Sequence, residues 1–413
     1  MGQHASIPVY FAFRVVSALV LLKLSTQFLP VQDFASFAQF LAFAALLNMA
    51  VVGGSQNGLI RQSAAARDDA ALAEVHGAGL TIWLAAIALL GIPIALLSHG
   101  IAHVLTGSSR YWPVVIGLTA LALAAGPGQI LSSILSGRNR VAQSLGAQTL
   151  GLVVGTGGAA AFIVRGDFVG AALGFACGPL VATLAALWLA KPLRLRWAAS
   201  AKGVRPLLSY SAAIASTLGF SALVLFALRW FYRDRFGATE LGYWLAANRI
   251  SDMSTQLLGL FMLQQFVPRL TTIADPSERV RLALRYGIAG AALSGTALAV
   301  FLVAGRPLVH LFLSDAYLPA IPGIRLYLEG DFLRVWVSLA MFTAFASGKP
   351  GRYAAIEIAT LTTMAVLTVA LAAAGEVHAP QIAYVGAYAI TSVVLGVGMW
   401  LRPRQMFRAS PAA

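Results

Sequence analysis

The sequence has little of what most catalytic and disulfide-rich proteins require. Cys177 is the single cysteine among 413 residues, and this excludes a disulfide framework. No phosphate-binding loop of the Gly-x-x-x-x-Gly-Lys-Ser/Thr type occurs, and no His/Cys cluster has the spacing of a metal site. The predicted loops are short and leave no room for a separate catalytic domain. These absences argue against an enzyme, and against a bound cofactor.

Charged residues are also scarce. They make up 11% of the chain, while hydrophobic residues make up 59%. A soluble protein of this size needs far more charge on its surface. The apolar residues fall in blocks of about 20, the length a helix needs to cross a hydrocarbon core, and no alternating pattern of membrane strands is evident. The composition predicts a polytopic, all-α membrane protein.

Acidic residues are the rarer charge type, at 15 against 29 basic residues, for a net charge of +14. In a soluble protein this excess would indicate nucleic acid, but membrane proteins concentrate Lys and Arg in cytoplasmic loops, so we expect no nucleic-acid partner. Alternate sides of the predicted spans carry 18 and 6 basic residues. The count predicts that both termini lie in the cytoplasm.

Twelve spans are predicted, and a basic linker divides them into two groups of six. The expected domains are an N-terminal lobe at 1–190, a linker at 191–206, and a C-terminal lobe with a basic tail at 207–413. The spans are 8–29, 37–59, 77–98, 113–136, 141–164, 167–190, 207–229, 240–266, 285–305, 322–347, 353–375 and 381–401.

Several charged residues lie inside these apolar spans. At a helix centre each costs about 2.5–3.5 kcal/mol, so these side chains are not expected to face lipid. Most are cationic, which favours a polar cavity suited to an anionic group. They are Arg14, Lys23, Arg249, Asp252, Asp331 and Arg334.

The eighth span has a polar stripe. Asn248, Arg249, Asp252 and Gln256 fall within an arc of roughly 100° on a helix. Arg249 and Asp252 are three residues apart and are expected to pair. The stripe favours a cavity lining, and the alternative is a buried ion pair that locks two helices together.

The first span carries Arg14 and Lys23, which nine residues separate. This spacing corresponds to roughly 13.5 Å along the axis and directs the two side chains to opposite faces of a straight helix. Both face one cavity only if the helix bends, and otherwise one of them extends to the headgroup layer.

The tenth span is the most charged. Arg325 and Glu329 are expected to pair, as are Asp331 and Arg334, with the two pairs on different sides of the helix. Glu357, early in the eleventh span, is either exposed near the cytoplasmic surface or part of an ion-coupling site.

Short motifs in this chain resemble those of the lipid-linked oligosaccharide flippases that export O-antigen or enterobacterial common antigen units. These flippases belong to the multidrug/oligosaccharidyl-lipid/polysaccharide exporter superfamily. The most specific motif is Gly330-Asp331 with Arg334 in the tenth helix, and Arg14 and Lys23 resemble the two basic positions of the family's first helix. The other matching segments are 53–60, 241–244, 249–252 and 267–270.

The resemblance implies two six-helix lobes around a central cavity, similar to the multidrug and toxic-compound extrusion fold. It also implies alternating access and an undecaprenyl-pyrophosphate-linked oligosaccharide as cargo, moved to the periplasmic leaflet of the bacterial inner membrane. Expected partners are the lipid bilayer and the polysaccharide polymerase and chain-length machinery. Arg14, Lys23, Asn248, Arg249, Gln256 and Arg334 are the candidate substrate-binding residues.

Two questions stay open at the level of sequence. Asp252, Asp331, Glu329 and Glu357 are candidates either for proton or other ion coupling or for structural ion pairs. An ion-coupled multidrug antiporter of the same superfamily is the alternative function. A transporter of organic cations needs an acidic interior, however, and this one is basic.

Overall fold

All regular structure in the described part of the chain is helical. The computed structural model describes residues 2–52, 54–191, 203–273, 275–347 and 349–401. The helices are α1 (Gly2–Phe28), α2 (Val31–Ala50), α3 (Gln56–Ala65), α4 (Asp69–Ala86), α5 (Ile92–Thr106), α6 (Trp112–Ala124), α7 (Gly126–Gly137), α8 (Val141–Ile163), α9 (Phe168–Ala176), α10 (Gly178–Ala190), α11 (Val204–Phe261), α12 (Val267–Thr272), α13 (Pro276–Phe312), α14 (Ile321–Ala346), α15 (Pro350–Ala373) and α16 (Ala379–Leu401). π-helical turns at Ile87–Gly91 and Met262–Phe266 continue α4 into α5 and α11 into α12, and short 3₁₀ segments lie at Ser109–Tyr111 and Asp315–Ala320.

The helices confirm a multi-pass membrane protein. Within the described ranges, nine helical segments are long and apolar enough to cross a membrane. The three other predicted spans, 207–229, 240–266 and 322–347, are also helical and lie in α11 and α14. The last two of these carry most of the charged candidate residues, which is why they are less apolar than the rest.

The second span differs from its prediction. A helix was expected at 37–59, whereas α2 begins at Val31 and ends at Ala50. Pro30 has extended backbone (ψ 150°), and its carbonyl accepts the first helical bonds. A proline fits at the start of a helix because it has no N–H to lose and disfavours helix in the residue before it.

A glycine divides the longest helix. α11 has 58 residues and would extend roughly 87 Å if it were straight, which is far more than a bilayer requires. Gly237 interrupts it with φ 88° and ψ 171°, a conformation that other residues rarely adopt. The chain therefore turns between the seventh and eighth spans without leaving a long loop.

The chain divides into two compact units, Met1–Gly219 and Phe220–Ala413. The expected lobes at 1–190 and 207–413 stay a prediction. Most of the expected basic linker lies outside the described residues, at 192–202, and so does the basic tail at 402–413.

Glycines allow close helix packing in the N-terminal unit. A Cβ atom on Gly151 of α8 would lie 2.5 Å from the carbonyl oxygen of Gly178 in α10, and one on Gly128 would lie 2.2 Å from Thr183 Oγ1. Helices in lipid associate mainly through such close contacts, because burying apolar surface gains little there. The glycines around Pro127 thus serve helix contacts.

Candidate functional site

The most enclosed charged residue of the C-terminal unit is Asp331 of α14, which is 2% exposed. Its Oδ1 accepts hydrogen bonds from the hydroxyls of Ser251 (2.8 Å) and Tyr384 (2.7 Å). Its Oδ2 accepts one from Ser254 Oγ at 2.6 Å. Three donors from α11 and α16 thus replace the hydration that the carboxylate loses on burial.

Arg334 joins this carboxylate through a tyrosine. Its Nη1 donates to the Tyr384 hydroxyl at 3.1 Å, and that hydroxyl donates in turn to Asp331. The guanidinium also lies 5.5 Å from the ring centre of Tyr388. The predicted Asp331–Arg334 pair is therefore bridged by Tyr384. The reason is that Asp331 turns its oxygens toward the hydroxyls of α11 and α16.

Gly330 makes this arrangement possible. A Cβ atom at this position would lie 2.3 Å from Cδ1 of Tyr384, much closer than real Cβ contacts. Because Gly330 has no side chain, the tyrosine ring lies directly against α14, and its hydroxyl reaches the adjacent Asp331. The Gly-Asp-x-x-basic motif thus has a physical explanation: each of its three defined residues contacts the same tyrosine.

Aromatic side chains extend from this cluster toward the kink of α11. The rings of Tyr384 and Tyr327 have centroids 4.8 Å apart, and Trp244 Nε1 donates to the Tyr327 hydroxyl at 2.6 Å. Trp244 packs edge-on against Tyr232, with centroids 5.0 Å apart. Such packing fixes α11, α14 and α16 relative to one another inside the C-terminal unit.

A second group of charges lies on another part of α11. Asn248 Nδ2 donates to Asp252 Oδ2 at 3.0 Å, so Asp252 is held by the amide rather than by the expected ion pair with Arg249. Arg229 lies 20 residues before Arg249 on α11, on the other side of the Gly237 kink, and interacts electrostatically with Arg249, Asp252 and Tyr327. This group therefore has two guanidinium groups for one carboxylate, and its net charge is positive.

The remaining residues of the tenth and eleventh spans separate into two environments. Arg325 and Glu329 form the expected pair, with Nε and Oε1 2.9 Å apart, and Arg325 is 58% exposed. Glu357 of α15 is partly buried and interacts electrostatically with Arg334. Glu357 is thus not fully exposed, and its part in an ion-coupling site stays a prediction.

The other predicted site residues are less enclosed. Gln256 is exposed, at the end of the polar stripe on α11. In the N-terminal unit, both cationic residues of the first span lie on the continuous helix α1, where Arg14 is exposed and Lys23 is partly buried. This difference fits the prediction that they lie on different faces of a straight helix.

The N-terminal unit contains a polar chain of a different kind. Gln56 Nε2 donates to Gln129 Oε1, and Gln129 Nε2 donates to Asn48 Oδ1, both at 3.2 Å. These amides link α2, α3 and α7 without any charge. Gln56 falls in one of the motif segments, 53–60, so this motif also corresponds to a polar contact between helices.

Sequence reasoning missed the partners of Asp331. Ser251 and Ser254 lie on the same span as the polar stripe, but small hydroxyl residues are common in membrane helices and give a weak signal. Tyr384 and Tyr388 are four residues apart on α16, a spacing that places them on one face. Arg229 was assigned to a loop, because the predicted span ended there, whereas α11 continues through it.

Solved structures with the same fold are transporters. An inward-facing multidrug resistance MATE family transporter of the MOP superfamily matches with a TM-score of 0.76 at 13% identity, covering 96% of each chain. The lipid II flippase MurJ, in an inward closed conformation, matches with a TM-score of 0.75 at 10% identity, covering 97% of this chain and 89% of MurJ. A MOP superfamily transporter from Pyrococcus furiosus, whose binding pocket is described as having reverse polarity, matches with a TM-score of 0.65 at 15% identity, over 97% of this chain and 95% of that one.

No curated protein matches this sequence. A family model described as polysaccharide biosynthesis protein matches residues 24–322. The helical architecture and the similarity to MATE and MurJ structures confirm the fold predicted from the sequence. The chain therefore belongs to the polysaccharide biosynthesis protein family and has the fold of MOP superfamily transporters.

Proposed function

We propose that this protein is a flippase for undecaprenyl-pyrophosphate-linked oligosaccharides. It carries them from the cytoplasmic to the periplasmic leaflet of the bacterial inner membrane by alternating access. The family supports a role in polysaccharide biosynthesis, and the fold supports a transporter. MurJ, which shares the fold, is named for a lipid-linked substrate.

The observation that carries the proposal is the positive charge on α11. Arg229 and Arg249 are close enough to interact with each other and with Asp252, so the two cations exceed the one carboxylate. An excess of positive charge on a membrane helix favours an anionic ligand over a cationic one. A pyrophosphate supplies that anion, since its oxygens pair with guanidinium groups through two parallel hydrogen bonds.

The other candidate residues have supporting roles in this proposal. Asn248 holds Asp252 through its amide in place of the expected ion pair with Arg249, and Arg249 contacts the headgroup in this proposal. Arg14, Lys23, Gln256 and Arg334 are the further proposed contacts to the polar part of the cargo. The prenyl tail stays in lipid, because its apolar surface does not have to be shielded from hydrocarbon by the protein.

The competing function is that of an ion-coupled multidrug antiporter. A multidrug transporter shares the fold, and at 13% identity the match carries information about fold alone. Cationic drugs would meet the positive group on α11 and be repelled. The excess of arginine over acidic side chains in this group therefore supports an anionic cargo over a cationic drug.

The experiment is transport in proteoliposomes, with a fluorescent polyprenyl-pyrophosphate oligosaccharide and a cationic dye as alternative substrates. We expect the protein to move the lipid-linked glycan and not the dye. Arg249→Gln should lose movement of the glycan. Arg165→Gln, in the turn after α8, is its control, because it removes an exposed arginine outside the proposed site. Export of the dye without movement of the glycan would replace this proposal with the antiporter.

Ion coupling is a separate part of the proposal. Asp331 and Asp252 are the carboxylates whose protonation could be linked to the transport cycle, with Glu357 adjacent to Arg334. Asp331 accepts hydrogen bonds from hydroxyls and Asp252 accepts one from an amide, which favours a structural role for both. We expect transport to persist when the proton gradient is collapsed by an ionophore, and its abolition would assign these residues to coupling.

A further inference from the structure

Two predicted spans of the N-terminal unit are broken at places that touch each other. The second predicted span, 37–59, is divided between α2 and α3, and the fourth, 113–136, is divided between α6 and α7. A Cβ atom on Gly126, which begins α7, would lie 2.9 Å from Cγ1 of Val51, which follows α2. Discontinuous helices of this kind typically form the substrate sites of membrane transporters, because non-helical backbone at membrane depth is tolerated beside a polar cavity.

Three side-chain amides lie at these breaks and form a directed chain. Asn48 is in the last turn of α2, Gln56 is the first residue of α3, and Gln129 is in the first turn of α7. Gln56 donates to Gln129, and Gln129 donates to Asn48. The last amide, Asn48, donates through Nδ2 to the carbonyl oxygen of Ala44 at 2.9 Å. The chain of hydrogen bonds therefore runs from Gln56 into α2.

The first amide of the chain presents an acceptor. Gln56 is exposed, whereas Asn48 and Gln129 are partly buried. Within the described part of the chain, Gln56 Oε1 accepts no hydrogen bond. Bonds in such a chain polarise one another, so an amide that donates through its nitrogen is a better acceptor at its oxygen. Gln56 Oε1 is therefore an accessible acceptor for a ligand that brings an O–H or N–H group.

The three helices favour a neutral ligand. α7 carries no charged residue, and the charged residues of α2 and α3 are Asp33, at the opposite end of α2 from Asn48, and Arg61, more than one turn beyond Gln56. A phosphate would lack paired cations beside the amides, and an ammonium ion would lack a carboxylate. An amide has two N–H donors and an acceptor oxygen, which matches a hydroxyl group, since a hydroxyl both donates and accepts.

We propose that Asn48, Gln56 and Gln129 form a site, the amide site, that binds the hydroxyl groups of a neutral sugar residue. One hydroxyl donates to Gln56 Oε1, and a second accepts from an N–H that the chain leaves unused. The inference rests on the proposed function for the source of the sugar, which is the oligosaccharide part of the cargo. Pyrophosphate and glycan are then recognised by different chemistry, the first by arginines of the C-terminal unit and the second by uncharged amides of the N-terminal unit.

The test is binding of simple methyl hexopyranosides to the purified full-length protein in nanodiscs, measured by saturation-transfer NMR. Gln56→Met removes the exposed acceptor and keeps the length of the side chain, and we expect about fivefold weaker binding, as for the loss of one hydrogen bond. Gln129→Met interrupts the chain at its centre and should weaken binding at least as much. If that variant fails to fold, the exposed Gln56 still provides the test. Gln148→Met, at a partly buried amide of α8 that bonds to Ser144 of its own helix, is the matched control and should bind like wild type.

The outcomes separate this inference from the proposed function. Wild-type protein that moves the lipid-linked glycan but binds no methyl glycoside overturns the amide site and leaves the flippase standing. Protein that binds the glycoside through Gln56 but moves no lipid-linked glycan supports the amide site and overturns the flippase. Wild-type binding by Gln56→Met overturns the inference, and so does a Gln129→Met protein with a lower unfolding temperature and unchanged binding, because the amides would then serve helix contacts alone. Displacement of the glycoside by inorganic phosphate or methylammonium overturns the choice of a neutral ligand.

Discussion

Two carboxylates of the C-terminal unit occupy contrasting places around α11. Asp331 is buried and accepts hydrogen bonds from three hydroxyls, with Arg334 joined to it through Tyr384. Asp252 is partly buried, accepts one bond from Asn248 and interacts with Arg229. The first is a closed cluster with every partner inside the protein. The second combines two cations with a single carboxylate.

A charged residue inside a membrane protein therefore does not by itself indicate a role in transport. A buried network whose members are all satisfied fixes helices in place, and removing one member leaves the others without partners. A group with an excess of one sign is poised to bind the opposite sign. We therefore propose that the Asp331 cluster serves stability and that the arginines of α11 serve cargo binding.

The largest loss of stability is expected for Asp331→Asn. The amide turns a donor toward hydroxyl donors and leaves Arg334 without its bridged carboxylate, so the free energy of unfolding should fall by about 3–5 kcal/mol. Thermal unfolding in detergent measures this loss. Asp315→Asn is the control, because Asp315 is 66% exposed and pairs with His310 at the surface. That control should change stability by less than about 1 kcal/mol.

A smaller loss is expected for Gly330→Ala. The new methyl group overlaps the ring of Tyr384, so the ring must move away from Asp331, at a cost of about 1–3 kcal/mol. Gly259→Ala on α11 is the matched control, since nothing lies within 4 Å of a Cβ there, and it should be neutral or stabilising. Equal unfolding temperatures for both variants would show that Tyr384 does not need a glycine at position 330.

Ser254→Ala should cost about 1.5 kcal/mol, because it deletes one hydrogen bond to a buried carboxylate and leaves the two others in place. The comparison variant is Thr363→Ala, whose exposed hydroxyl bonds only to a carbonyl oxygen of its own helix. Unfolding curves of the two proteins check the difference. Ser254 Oγ also bonds to the carbonyl oxygen of Ser251 in its own helix. A loss as large as that of Asp331→Asn would mean that Ser251 and Tyr384 do not hold the carboxylate without Ser254.

The smallest effect on stability is expected for Asn248→Leu, below about 1 kcal/mol, since the partly buried Asp252 retains access to water and to the nearby arginines. Its effect on transport should be larger. Asp252 would turn toward Arg249 and neutralise it, so transport of the lipid-linked glycan should fall severalfold. Wild-type transport by this variant would show that Asn248 does not hold the two charges apart.

The sequence predicted the class of fold because membrane helices are specified locally. Apolar runs of about 20 residues and short loops determine the spans with little help from tertiary contacts. The errors arose at single residues that set the local backbone. Pro30 moves the start of α2, and Gly237 turns the chain within α11. Arg229, expected in a loop, lies in this helix and interacts electrostatically with Arg249 and Asp252.

The candidate site was predicted only in part, because the sequence shows charged residues but not their partners. Charged residues in apolar spans are visible in any sequence, and Asp331, Arg334, Arg249 and Asp252 were found that way. Their partners depend on which helices touch, and this is not encoded by spacing along one helix. Tyr384 lies 53 residues from Asp331, so the bridge between Asp331 and Arg334 appears only in the folded chain.

The most direct test of the account compares Arg249→Gln with Asp331→Asn, measuring for each both thermal stability and the rate of transbilayer movement of a polyprenyl-pyrophosphate oligosaccharide. We expect Arg249→Gln to keep the wild-type unfolding temperature and to lose transport. We expect Asp331→Asn to lower the unfolding temperature. Full transport by a stable Arg249→Gln protein would contradict the assignment of the anionic headgroup to α11.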